Sequence, residues 1–341
     1  MTCRSAQIRA FLADAGWETA KRTAFAGDAS NRRYERLLRT RDGARAFLMD
    51  AAPSSGENVD AFVRIAKHLQ AIGLSPPTIL AQDIRHGLLL LEDLGDALFA
   101  AEIRKTPSRE KELYLAAVGV LAEVHKHAAP TWIPAYTPDV MARCIAPVFD
   151  WYLAESSGAI SQEKEACTAE LETVLQNSPV TNPVLVLRDY HAENLLWLPD
   201  RHGVKRVGIL DFQDAVRGHP VYDLVSLLED ARRDVGEPTR SAAIRRFAAL
   251  TGQKEADILK EMAAQGAQRN LRILGVFARL CIKSGRPAYV GLLPRVWHHL
   301  MRDLSHPALA DLRQIVMRTL PAPTPETIKR LKARCPEHRN P

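Results

Sequence analysis

The stretch Val184-Leu185-Val186-Leu187-Arg188-Asp189-Tyr190-His191-Ala192-Glu193-Asn194-Leu195-Leu196-Trp197 decides how this chain is read. A short apolar run, too short for a helix, reads as a buried strand and is followed at once by an acid. A polar loop then runs to Asn194, five residues after Asp189, and a second apolar strand begins at Leu195. A turn over residues 199–203 leads into Val207-Gly208-Ile209-Leu210-Asp211-Phe212-Gln213-Asp214. The second and third apolar runs therefore pair as a hairpin, which ends at Asp211 close to Asn194. Two carboxylates and one amide are expected at the ends of adjacent strands.

Working outward, residues 1–95 read as a helix, then strands, then a helix, then strands. Strands are expected over residues 17–26, 33–40 and 44–50, separated by the turns Gly27-Asp28-Ala29-Ser30-Asn31 and Arg41-Asp42-Gly43. Residues 57–72 carry Val59, Phe62, Val63, Ala66, Leu69 and Ile72 at helical spacing, and strands over 78–81 and 87–91 follow. This five-strand, one-helix lobe stops at Glu92-Asp93-Leu94-Gly95. Residues 96–341 are mostly helical around the small β insert. Thr106-Pro107 sets a capping hydroxyl before a proline and opens a long helix ending near His127, and Thr324-Pro325 repeats the device. Residues 161–177, 221–233 and 271–284 also read as helices. The fold class is α+β: a small antiparallel β lobe with one helix at residues 1–95 and a larger, mainly helical lobe at 96–341.

The 341 residues suffice for two lobes, with 46% hydrophobic and 25% charged residues in an ordinary globular balance. No apolar run approaches the roughly 18 residues of a membrane span, and the first residues lack the apolar core of a signal peptide. Five scattered cysteines without C-x-x-C spacing argue against a disulfide framework or zinc knuckle and fit a reducing cytoplasm. The net charge of +6 raises the question of a polyanionic partner. Aromatic residues are only 6% and do not interleave with the cations, so the stacking platform of a nucleic-acid binder is missing. A phosphorylated small molecule accounts for the charge equally well. His125, His127, His298 and His299 lie in helical segments without metal-ligand partners and read as structural. No obligate protein partner is evident.

The converging set at Asp189, Asn194 and Asp211 suits phosphoryl transfer, which needs a base for a hydroxyl proton and oxygens that hold Mg²⁺ on the phosphates. Asp189 to Asn194 resembles the D-x-x-x-x-N catalytic loop of the protein-kinase-like superfamily, and Asp211-Phe212 stands where its D-F-G acid stands. Without a full D-F-G, and with an acid soon after, the pattern looks like the aminoglycoside/choline phosphotransferase branch. More narrowly, residues 27–34, Met49-Asp50-Ala51-Ala52-Pro53, Glu57-Asn58 and Phe212-Gln213-Asp214 resemble bacterial anomeric kinases of cell-wall recycling. Those enzymes phosphorylate the C1 hydroxyl of N-acetylmuramate and N-acetylglucosamine. The resemblance spans residues 8–320.

The resemblance implies a bilobal kinase-like fold, ATP and Mg²⁺ as cofactors, and a small amino-sugar substrate. It makes Asp189 the base and Asn194 and Asp211 the metal holders. Ser30, Asn31 and Arg33 would offer backbone N–H groups, a hydroxyl and charge to phosphates, although the same loop also reads as a solvated turn. Glu92 and Leu94 would sit at the adenine-reading hinge, where an ordinary strand end looks alike. His191, Glu193, Gln213 and Asp214 are candidates for substrate contact, and Asp223 for bracing the catalytic loop. Met49 stands about where kinases carry a lysine, and an apolar side chain cannot neutralise phosphate. Similar recycling kinases show the same substitution; the alternative is an inactive nucleotide-binding pseudokinase. Arg269, Arg272, Arg279, Lys283 and Arg286 suit an anionic sugar better than the cationic substrates of aminoglycoside or choline kinases.

Overall fold

The structure, a computed structural model, describes residues 4–25, 32–55, 59–157, 163–180 and 182–336. In chain order the elements begin with α1 (Arg4–Asp14), β1 (Lys21–Phe25), β2 (Arg33–Leu38), β3 (Arg45–Asp50), α2 (Asp60–Ala71), β4 (Ile79–Asp83) and β5 (Leu88–Glu92). Then come α3 (Phe99–Lys105), α4 (Glu110–His125), α5 (Pro138–Arg143), a π-helical turn (Val148–Leu153), α6 (Ala154–Ser157) and α7 (Lys164–Gln176). The short strands β6 (Val184–Val186), β7 (Leu195–Trp197), β8 (Val207–Ile209) and β9 (Val216–Gly218) follow. The chain ends in α8 (Tyr222–Leu228), α9 (Glu237–Thr251), α10 (Glu255–Ser284), α11 (Leu293–Asp303), α12 (Ala310–Thr319) and α13 (Pro325–Ala333). Among the described residues no helix is long and apolar enough to cross a membrane.

The chain divides into two compact units, Met1–Glu123 with Ala192–Ala215, and Val124–His191 with Val216–Pro341. This differs from the expected boundary at residue 95, because α3, most of α4 and the β7–β8 hairpin belong with the sheet to the first unit. In the first unit the sheet order is β1-β2-β3-β5-β4, antiparallel throughout. The strands alternate, so Leu37, Ala46, Leu48, Leu88 and Leu90 share one face and bury against Ile8, Phe11 and Leu12 of α1 and against Trp17. Each such large side chain contributes about 1.5–3 kcal/mol. Gly87 lets the β4–β5 turn approach Ala51 closely: its φ is 65°, and a Cβ there would lie 2.0 Å from the Ala51 carbonyl oxygen.

The second unit is built around α10, whose buried face meets the π-helical turn, α8 and α11. The expected helix over 271–284 is a 30-residue helix that begins at Glu255. The stretch Gln265-Gly266-Ala267-Gln268-Arg269-Asn270 breaks the apolar period, yet it is buried, and several of its side-chain N–H groups find acceptors inside. Gln268 Nε2 donates to the Met141 carbonyl (2.8 Å), and Asn270 Nδ2 to Glu229 and Asp303 (2.9 Å each). The expected helix over 221–233 stops at Leu228, where the Asp230 carboxylate turns back to accept the Arg232 N–H (2.8 Å). At the two Thr-Pro signals, Thr324 Oγ1 accepts from Thr327 N as expected, whereas Thr106 makes no side-chain cap. A 3₁₀ turn over Pro107–Arg109 leads into α4 instead.

Candidate active site

In the first unit β7 and β8 form the expected antiparallel hairpin, with Leu195 opposite Ile209. Its open end is closed by the Leu210 N–H donating to the Asn194 carbonyl (2.9 Å). Beyond it, Asp211 stands at φ 58°, a left-handed backbone that costs a residue with a Cβ about 1–2 kcal/mol. The side chains of Asn194 and Asp211 are thereby brought together, Nδ2 to Oδ2 at 3.5 Å. Gln213 Nε2 donates to the other Asp211 oxygen at 2.7 Å. Phe212 is fully buried and packs on Phe62 of α2, ring centroids 4.8 Å apart, which anchors the residue following the acid. Ile209 N–H also donates to Ser75 O (3.0 Å), tying β8 to the sheet unit.

An exposed carboxylate beside a primary amide is a hard-oxygen donor pair that fits Mg²⁺, which takes one or two protein oxygens plus phosphate and water. Turning the amide over presents its oxygen in place of Nδ2. Among the described residues no cluster of three or more His, Cys, Asp or Glu could hold a metal ion.

In the second unit β6 pairs with β9, Val184 opposite Gly218. The strand before Asp189 is therefore not the neighbour of β7 and β8, a correction to the expected row of adjacent strands. After β6 the chain bends sharply. Asp189 N–H donates to Leu187 O (2.9 Å), and Arg188 takes φ 70°. Asp223 of α8 holds this bend, its Oδ2 accepting from Leu187 N (2.6 Å) and its Oδ1 from Arg188 N (2.9 Å). Burial pushes the Asp223 carboxyl up to about 7, against the lowering effect of those two N–H groups. Asp189 is half-buried, and the loop passes from one unit to the other between His191 and Ala192. His191 is buried, with Nε2 3.5 Å from Arg232 Nη1; burial, then Arg232 and Arg269, lower it to about 3.

Residues 21–259 match the family model described as "Phosphotransferase enzyme family". The chain belongs to that family. Over 94% of its length this phosphotransferase is 36% identical to the N-acetylmuramate/N-acetylglucosamine kinase of Caulobacter vibrioides, covering 98% of it. The Pseudomonas aeruginosa protein of the same name is 34% identical, over 85% of this chain and 86% of that protein. Among solved structures, an ADP-bound aminoglycoside phosphotransferase superimposes with a TM-score of 0.54 at 15% identity, over 82% of this chain and 94% of that one. The α+β fold is thus that of the kinase-like phosphotransferases.

Strand register decides where the remaining candidates of the phosphotransferase stand. Tyr34 lies opposite Met49 and Arg36 opposite Phe47, so these share a face; Arg33 lies opposite Asp50, on the α1 face. Arg33 is exposed and is not brought to the face of Met49, which is itself 1% exposed. Ser30 and Asn31 lie outside the described residues, as do Glu57 and Asn58. Glu92 accepts from Thr78 Oγ1 (2.7 Å) and pairs with Arg201 (2.5 Å), so its carboxylate is engaged within the unit. Leu94 packs near Gly208, where an added Cβ would meet it at 3.1 Å. Glu193 is half-buried and Asp214 exposed. Gln213 is turned onto Asp211 and so steadies the acid.

Sequence reading passed over Arg36. Its guanidinium lies over the Phe47 ring (4.9 Å) and pairs with Asp93 (3.0 Å) and Asp96 (2.7 Å), pinning the segment after β5. Asp93 is almost fully buried, and its Oδ1 also accepts the Gly95 N–H (2.9 Å). The D-x-G pattern after a buried strand was the available signal. Arg269, expected among the cations suited to an anionic sugar, is buried and donates to Ser226 Oγ (3.0 Å) and Glu229 O (3.3 Å). It serves the fold of its own unit.

Proposed function

We propose that this phosphotransferase moves the γ-phosphoryl group of ATP to the anomeric C1 hydroxyl of an N-acetylated amino sugar, N-acetylmuramate or N-acetylglucosamine. The observation that carries the substrate is the nearly end-to-end match to two relatives that bear that name. The reaction class is supported by the Asn194–Asp211 pair and by an acid at Asp189 on a loop held from Asp223. Asp189 orients the sugar hydroxyl and takes its proton as the bond to phosphorus forms. An anomeric hydroxyl is more acidic than the other sugar hydroxyls, so a carboxylate suffices as base. Asn194 and Asp211 are the residues that would hold Mg²⁺, which when bound neutralises charge on the phosphate oxygens. Gln213 Nε2 holds the orientation of the Asp211 carboxylate by its hydrogen bond. The same reading places the reaction in the cytoplasm, where ATP is the cosubstrate, and makes the partners small molecules.

The test is a coupled ADP-release assay with N-acetylmuramate, N-acetylglucosamine, its 1-O-methyl glycoside, glucose, kanamycin and choline. Turnover is expected with the two free N-acetyl sugars, giving an acid-labile, non-reducing phosphate. Phosphorylation of the glycoside at a comparable rate would overturn the anomeric assignment while leaving the kinase reading intact. Faster turnover of kanamycin or choline would overturn the sugar, and no turnover with any acceptor would favour a pseudokinase.

A further inference from the structure

The bend that carries Asp189 is gripped on both sides of Arg188 by one helix. Asp223 and Ser226 stand three residues apart on α8, hence on one face. Asp223 takes the two N–H groups that precede the bend, and Ser226 Oγ donates to the Arg188 carbonyl at 2.8 Å. That carbonyl belongs to the peptide plane joining Arg188 to Asp189, so fixing it fixes where the Asp189 Cα begins.

A serine hydroxyl has a single proton and can turn it elsewhere. Here it is committed, because Arg269 Nη2 approaches Ser226 Oγ at 3.0 Å and a guanidinium can only donate. The Ser226 proton is left with the Arg188 carbonyl as its acceptor. Arg269 is anchored in turn by Nη1 to the Glu229 carbonyl (3.3 Å) just beyond the end of α8. Ser226 is 0% and Arg269 5% exposed, so water does not compete for these bonds.

We propose that Ser226 and Arg269 form a positioning pair that sets the peptide plane before Asp189 and so aims its carboxylate at the acceptor hydroxyl. The pair acts through Asp189 and rests on the reading of that residue as the base. Neither touches substrate. Positioning of this kind governs the rate of the chemical step rather than affinity, and a displacement of about 1 Å costs on the order of 10²-fold.

Ser226→Ala removes one oxygen from α8 and is expected to lower kcat about 10- to 100-fold, with KM for sugar and for ATP unchanged. Arg269→Lys keeps the charge and one donor and is expected to show a smaller loss of kcat with the same unchanged KM values. In an Asp189→Asn background Ser226→Ala is expected to have no further effect on the residual rate. Native kcat in folded Ser226→Ala or Arg269→Lys protein overturns the proposal, as does an equal loss in both backgrounds. Near-native turnover by Asp189→Asn alone is a separate outcome: it removes the base reading, and with it the group the pair would aim.

Discussion

Replacing His125 by phenylalanine isolates one buried titration. His125 closes α4, and its ring meets Phe247 edge-on, centroids 5.5 Å apart at 85°. Its Nδ1 is buried with no hydrogen-bond partner. Burial first, and the neighbouring His219 second, lower its pKa from 6.5 to about 4. A histidine with a depressed folded-state pKa contributes stability that is fully present above 6.5 and is lost as the pH falls towards 4. The unfolded chain takes up a proton that the folded chain refuses. At about 1.4 kcal/mol per pH unit, the loss is about 2 kcal/mol at pH 5 and about 3 kcal/mol at pH 4. Phenylalanine preserves the edge-on contact, removes the orphaned nitrogen and does not titrate. His125→Phe is therefore expected to equal or exceed the native protein in stability at pH 7, by up to about 1–3 kcal/mol. Its advantage should then grow by about 2 kcal/mol on going to pH 5. Urea unfolding at pH 7, 6 and 5, followed by circular dichroism, measures both quantities. An advantage that stays constant with pH would refute the reasoning, since it would mean that His125 titrates alike in the folded and unfolded chains.

Three further outcomes are expected. Asp189→Asn should lower kcat by about 10²–10⁴-fold while leaving ATP affinity, read by calorimetry, unchanged; native turnover would mean another base. Asp211→Ala should abolish activity, and Asn194→Ala should raise the Mg²⁺ concentration needed for half-maximal rate; full activity of Asp211→Ala at ordinary Mg²⁺ would move the metal elsewhere. At Gly275 of α10 an added Cβ would lie 2.1 Å from the Pro147 carbonyl carbon and 2.2 Å from Val148 N. Those atoms are backbone and cannot swing aside, so Gly275→Ala should cost at least about 3 kcal/mol, the upper end of ordinary overpacking. An unchanged melting temperature would show that the two segments separate freely.

The run from Val184 to Asp214 was readable because its determinants are local. An amide before a strand and an acid closing the same hairpin need only a short turn to meet, and Asn194 and Asp211 do meet. The α+β layout was readable for a similar reason: β2, β3 and the helix over residues 60–71 declare themselves by period. Other features depended on partners far along the chain. The three-residue β6 has too little alternation to name its neighbour, and only packing shows that neighbour to be β9. Register, which local composition does not state, put Arg33 on the face away from Met49 and Arg36 on the same face as Met49. Arg269 reads in sequence as one of several cations suited to an anionic sugar. Its acceptor, Ser226, lies 43 residues earlier, and α10 and α8 must pack before the guanidinium can be satisfied away from water. Sequence determined the class of chemistry, and local spacing sufficed to bring Asn194 and Asp211 together. Tertiary structure alone decided which polar side chains serve the interior, because the partners that offset their burial, as Ser226 does for Arg269, lie far along the chain.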